Sequence, residues 1–223
     1  MNLSSNTLLL LHLADSALPV GGFAYSYGLE AAVRHGLLTN QQQVSSYLST
    51  YAEQVLSFDV PFVSSAYHLE NLSEITQLFS DYEAMLLNPF VKKANVVMGK
   101  NWLRLFSKLY GLEDLEKRAL KEKWSGDFPV VFGVCAKQIG LSYTESLHLY
   151  FYCTVRDQIS ALIRLGAAGP SWGHSQLNDL LSDFEAIIQS TESKSHSQAC
   201  KSAYLQEVAQ LSHDRVYSKL FQN

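Results

Sequence analysis

Gly99 followed by Lys100 is the closest this chain comes to a phosphate-gripping loop, and it fails at the next residue. Such a loop needs a glycine-rich turn ending in Gly-Lys and then Ser or Thr, so that backbone amides and the lysine converge on phosphate oxygens. Here Asn101 follows and a helical pattern precedes, so the chain is not expected to hydrolyse GTP or ATP. Ala24-Tyr25-Ser26-Tyr27-Gly28 falls one residue short of a nucleophile elbow. That elbow needs a strand to thrust its serine upward, whereas a helix and a Pro-Gly-Gly turn lie upstream; Ser26 reads instead as a helix-start hydroxyl satisfying backbone donors. Glu145 and His148 form a Glu-x-x-His pair, half of a di-metal carboxylate bundle site. The second copy is absent, and Cys-x-x-Cys, His-x-His and HExxH spacings do not occur. The residues therefore assign no catalytic group, no metal site and no cofactor. A helical-bundle metalloenzyme using Glu145 and His148 stands as the alternative, beside a helical adaptor of another kind.

The chain that must position these groups has 223 residues, 47% of them apolar, enough to bury one large core. Seventeen basic against twenty-one acidic side chains give a net charge of -4. That excludes the broad positive field of a nucleic-acid binder. Cys135, Cys153 and Cys200 are odd in number and irregularly spaced, which argues for a reducing compartment and a cytoplasmic location. The N-terminal apolar run lacks a basic start and is interrupted by Asp15. It is shorter than the roughly 20 residues of a membrane span, and it reads as a first core helix.

Periodicity predicts an all-α fold, a single-domain helical bundle. A capping box at Thr39 and Gln42 precedes Val44, Tyr47, Leu48, Tyr51 and Val55 on one helical face. Phe58 and Pro61 punctuate; helices follow over 63–72, 75–87 and 91–109, the last ending before Gly111. PVVFGVC from Pro129 reads as a helix start. Ser142 with Glu145 caps the clearest helix, whose Leu147, Phe151, Val155, Ile159, Leu162 and Ile163 recur at helical spacing until Gly166. Residues 1–189 form the bundle domain. Residues 190–223 comprise a polar linker over 190–199, an amphipathic segment with Leu205, Val208, Ala209 and Leu211, and a tail. In that tail Val216 with Leu220, and Tyr217 with Phe221, make i,i+4 pairs. Such a tail suits a groove on a partner; folding back on its own bundle is the other outcome.

Near the N-terminus, Pro19, Gly21 and Gly22 break any helix arriving from Leu8, and a new helix is expected near Tyr25. Gly28, Ala31 and Ala32 leave it a low face for close docking. The wording of this stretch, LADSALPVGGFAYSYGLEAA, resembles the N-terminal signature of the UreF family of urease accessory proteins. NVVMGKNWLRL around Met98, FPVVFGVCAKQIGL from Phe128 and HDRVYSKLF from His213 agree in the family's order. Two departures are Lys93, where the family carries arginine, and AAGPSWGH over 167–174, where it has Gly-Gln pairs.

The resemblance implies an all-helical, homodimeric scaffold, itself without catalysis. It would act with UreD (UreH in some systems) and the GTPase UreG on apo-urease, coupling GTP hydrolysis in UreG to nickel delivery. It carries partner binding onto His213, Val216, Tyr217, Ser218, Leu220 and Phe221, with Lys219 in place of the commoner arginine. It carries an interface and packing role onto Gly21, Gly22, Phe23, Tyr25, Ser26, Gly28 and Glu30.

Overall fold

A computed structural model describes residues 6–190 and 195–222, and among them no strand forms: the chain is an all-α, single-domain bundle. The helices are α1 (Thr7–Leu13), α2 (Leu29–Arg34), α3 (Gln41–Gln54), α4 (Val60–His68), α5 (Ile75–Met85) and α6 (Pro89–Tyr110). They continue with α7 (Glu113–Lys121), α8 (Phe128–Gln138), α9 (Tyr143–Arg164), α10 (Pro170–Ser190) and α11 (Tyr204–Leu211). Local chemistry sets their ends. The Asn88 side chain accepts from the N–H groups of Phe90 and Val91 while Pro89 occupies the first turn of α6, and Gly111 closes that helix at φ 69°. The Ser142–Glu145 capping box opens α9. Pro129 sits in the first turn of α8.

The core lies where α4, α6, α8 and α9 meet. A Cβ on Gly133 of α8 would stand 2.5 Å from the Val63 carbonyl oxygen, so glycine lets α4 and α8 touch backbone to backbone. Trp102 stacks on Phe106 with centroids 4.4 Å apart, and Phe128, Phe132 and Tyr150 continue the aromatic layer. Phe62 and Tyr82 meet edge to face at 4.9 Å.

Several expectations from the sequence are corrected. The N-terminal helix forms and meets the core by one face only: Leu13 is buried with Leu9 and Leu10 packed against the core, while Leu8 and Leu11 point to solvent. No helix starts at Tyr25: a 3-10 turn over Gly22–Ala24 gives way to extended backbone, and α2 begins only after Gly28 at φ 89°. The first cap lies one residue later than read, with Asn40 accepting from the Gln43 N–H while the Gln43 side chain returns to Thr39. Phe58 and Pro61 do not stop the chain. A π-turn over Val55–Asp59 joins α3 to α4, and Pro61 rides through in the first turn of α4. Proline donates no hydrogen bond and its ring crowds the carbonyl four residues back, here Ser57. The wider turn relieves that contact, and the Ser57 carbonyl accepts instead from the Cys200 N–H at 2.9 Å.

Helices α7 and α10 have no counterpart in the sequence reading. Helix α7 buries only Leu115 and Ala119, and α10 starts inside the PSWGH stretch, which carries no apolar period. Of the segment read as a linker, residues 191–194 lie outside the described residues. Residues 195–199 are docked, the His196 N–H donating to Ser65 Oγ at 2.9 Å. The tail after α11 is not helical beyond a 3-10 turn over His213–Arg215, so the i,i+4 pairs do not form.

Candidate functional site

The two stretches singled out in the sequence, the N-terminal turn and the tail, meet. Gly21 takes φ 101°, a left-handed value that turns the chain, and a Cβ on Gly22 would collide with the Asp157 carboxylate of α9. Ser26 is fully buried; its hydroxyl accepts from the Glu30 N–H, and its carbonyl from the Gln158 side chain at 3.1 Å. At Gly28 the backbone of α11 arrives so closely that a Cβ would stand 2.8 Å from the Gln210 nitrogen. The face of Gly28, Ala31 and Ala32 is thus filled from within the chain, with both alanines fully buried.

Glu30, fully buried, is the clasp. One carboxylate oxygen accepts from the Leu220 N–H at 2.7 Å; the other accepts from the Phe221 N–H at 3.1 Å and faces His213 Nε2 at 3.2 Å. These donors satisfy a carboxylate that burial would otherwise make costly. They also spend the amides a helical tail would need. Burial lowers the proton affinity of His213, with the nearby Lys219 charge adding to it and Glu30 opposing. The Gln222 N–H completes the clasp by donating to the Ala24 carbonyl at 2.9 Å.

Arg164, at the end of α9, binds both stretches. Its guanidinium donates to the Phe23 carbonyl at 2.6 Å and lies between two rings, 3.4 Å from the centroid of Phe23 and 4.2 Å from that of Phe221. No sequence signal singles out Arg164, since α9 also carries Glu145, His148, Arg156 and Asp157. The tail is therefore divided. His213, Val216 and Phe221 face inward, whereas Tyr217, Ser218, Lys219 and Leu220 are exposed in a row. In the turn, Phe23 is exposed and Tyr25 buried.

Helix α11 beside them has its polarity reversed. Gln206 donates to the Tyr47 carbonyl at 3.0 Å and Gln210 to the Tyr27 carbonyl at 3.2 Å, so its inner face includes two amides. Tyr204, Leu205, Val208 and Leu211 are exposed. Of the amphipathic segment, Leu205, Val208 and Leu211 point outward with Tyr204, while Ala209 is fully buried against the bundle.

The sequence profile of the UreF family matches residues 38–181. The chain belongs to the UreF family of urease accessory proteins. It is 31% identical over 214 residues to urease accessory protein F of Oryza sativa subsp. indica, covering 94% of this chain and 82% of that protein. Urease accessory protein F of Arabidopsis thaliana is 27% identical over 94% of this chain and 89% of its own length. Urease accessory protein UreF of Arthrobacter sp. (strain FB24) is 28% identical over 97% of both chains. The profile match spans α3 to the middle of α10, while these relatives extend across most of the chain.

The alternative metal pair is engaged otherwise. Glu145 accepts from the Ser142 N–H and from Asn6, and His148 is bonded through one nitrogen to the Thr144 carbonyl and through the other to Glu185 at 2.7 Å. Among the described residues no three His, Cys, Asp or Glu side chains group as metal ligands, and no helix is long and apolar enough to cross a membrane. Gly99 lies inside α6 because the Gly126 carbonyl leaves no room for a Cβ there. The two departures from the UreF pattern lie apart from the clasp: Lys93 is exposed, and residues 167–174 turn α9 into α10, with Gly173 close against Ile159 and Ile163.

Proposed function

We propose that this UreF-family chain is a non-enzymatic scaffold of cytoplasmic urease maturation. It docks UreD (UreH) through residues 190–223, receives the GTPase UreG on a second surface, and as a homodimer presents both to apo-urease for GTP-dependent nickel delivery. The observation that carries the docking assignment is the exposed apolar face of α11. Exposing Tyr204, Leu205, Val208 and Leu211 leaves apolar area in water that folding alone would hide, and such patches mark binding surfaces. Tyr217 and Leu220 continue the patch onto the tail, and the clasp of Glu30, His213 and Arg164 holds them ready, lowering the ordering cost of association. Within the tail, Tyr217 and Leu220 are the anchors, and Val216 and Phe221 act by holding the chain beneath them. Family membership removes the adaptor of another kind from consideration.

The test is calorimetric titration of UreD with the chain carrying Tyr217→Ala and Leu220→Ala. Affinity should fall by about 2 kcal/mol, the hot-spot scale, with an unchanged melting temperature. Undiminished binding would remove the tail from the interface. The dimer is tested by light scattering at tens of micromolar, on the order of a working concentration for a micromolar dimer, where a monomer alone would count against it.

A further inference from the structure

A second polar centre lies inside the bundle, away from the clasp. The π-turn carries Asp59 into a chamber of about 80 Å³ walled by the phenols of Tyr27, Tyr51, Tyr82 and Tyr150. That space is above the roughly 10–15 Å³ a single water requires, and its walls are polar. The Tyr82 hydroxyl donates to Asp59 at 3.0 Å, Asn95 donates to Tyr82 at 2.8 Å, and Tyr27 donates to Asn95 at 3.2 Å. Across the mouth runs a strap, residues 195–203, which leads directly into α11. Gln54 fastens it three times: its amide nitrogen donates to the Cys200 carbonyl at 3.1 Å, and its oxygen accepts from the N–H groups of Ser202 and Ala203, each at 2.9 Å. The Ser57 carbonyl that Pro61 leaves free takes the Cys200 N–H. Between these fastenings Lys201 reaches into the chamber, pairs with Glu207 and stands 5.3 Å from the centroid of Phe58.

We propose that residues 200–203 form a proton-operated latch, in which protonation of Asp59 loosens the chamber's hold on Lys201 and lets the strap at the root of α11 lift. The proton comes from solvent to the carboxylate and no other bond is made or broken. Above the transition Lys201 is paired with Glu207 and shares the chamber with the Asp59 charge; below it, only the Glu207 pair is left. Burial pushes the Asp59 carboxyl up to about 6, against hydrogen bonds from Tyr82 and Tyr150 and the Lys201 charge, which places the change in a physiological range. Burial lowers the proton affinity of Lys201, and the Asp59 charge is what opposes that.

The other groups around the chamber do not provide the same switch. Asp157 is paired with Arg156 at 2.7 Å, and Asp15 lies at the rim on the α1 side. Asp127, also raised by burial to about 6, acts on Tyr82 from the start of α8 but does not line the chamber, whereas Asp59 and Lys201 line it together. At the strap's other end His196 faces Asp81 at 3.4 Å and its N–H donates to Ser65 Oγ, away from the chamber, so release is confined to residues 200–203.

The test is amide hydrogen exchange in the full chain at about pH 5.5 and about pH 7.5, corrected for intrinsic rates, with amides of α6 reporting global opening. Protection at Cys200, Ser202 and Ala203 should be about fivefold lower at the acid pH, the order of one partly buried charge interaction, while α6 is unmoved. Asp59→Asn should give the low value at both pH values, and Asp127→Asn should keep the difference. Lys201→Met, near the surface, should abolish the difference and serves if Asp59→Asn does not fold. Equal protection at both pH values in the native chain, or a difference that survives Asp59→Asn or Lys201→Met, would overturn the latch, whatever the outcome of the UreD titration.

Discussion

The bundle interior and the C-terminal segment are held by different physics. Between α4, α6, α8 and α9, aromatic rings and closely approached backbones account for the contacts, and stabilisation grows with apolar area removed from water. From residue 195 onward, attachment runs largely through side chains that reach for backbone: Gln54 for the strap, Gln206 and Gln210 for α11, Glu30 for the tail. A hydrogen bond contributes about 1 kcal/mol net, since the unfolded chain bonds water instead. The segment can therefore be directional in its fastening and modest in its strength. A scaffold needs both properties, an element fixed enough to be recognised and loose enough to move.

The sharpest way to test this contrast is to injure each region separately. Phe62→Ala, at a fully buried ring, should lower stability by about 3–5 kcal/mol, with every amide losing protection together in denaturant titration and hydrogen exchange. Glu30→Ala should cost about 2–3 kcal/mol, because two N–H groups and His213 lose their partner. Exchange should rise first at Leu220 and Phe221, and Glu30→Gln should recover part of the loss. Uniform loss of protection in Glu30→Ala would mean the tail belongs to the bundle's cooperative unit and would erase the contrast.

The smallest effect concerns pH. Because the proton affinity of His213 is depressed in the fold, the unfolded chain takes up a proton first as pH falls. Its contribution is complete above the ordinary histidine value of about 6.5 and is lost as pH falls from there through the lower folded value. His213→Gln should flatten that part of the stability profile measured by urea titration. Asp59 works with the opposite sign, its raised value favouring the fold as pH drops from about 6 toward about 4. An unaltered acid slope in His213→Gln would show that His213 is not held neutral by the clasp.

The bundle was legible because its residues obey local rules. In α9 the apolar spacing, the Ser142–Glu145 cap and the left-handed Gly166 all describe the same helix. At Pro61 a local rule was overridden, since a distant amide, that of Cys200, takes the carbonyl a proline leaves free. In α11 the apolar period was read correctly, but which face meets the bundle depends on carbonyls of Tyr27 and Tyr47, far away in the chain. Glu30 and His213 were each singled out in the sequence. Their contact spans 183 positions, and no spacing rule connects residues so far apart. Arg164 was invisible for the same reason, its two rings coming from opposite ends of the chain.

The π-turn also makes chain length a structural quantity. Each helical residue rotates the chain by about 100°, and the extra residue held in Val55–Asp59 sets the heading at which α4 leaves α3. Deleting one residue there would keep the composition nearly intact yet swing Val63 and Ala66 away from Gly133. Where the lost residue is Phe58 or Asp59, Phe62 in place of Pro61 would stand four residues after Ser57 and could donate to the carbonyl that Cys200 now takes. Counting, rather than side-chain identity, is what keeps the far end of the molecule moored to its centre.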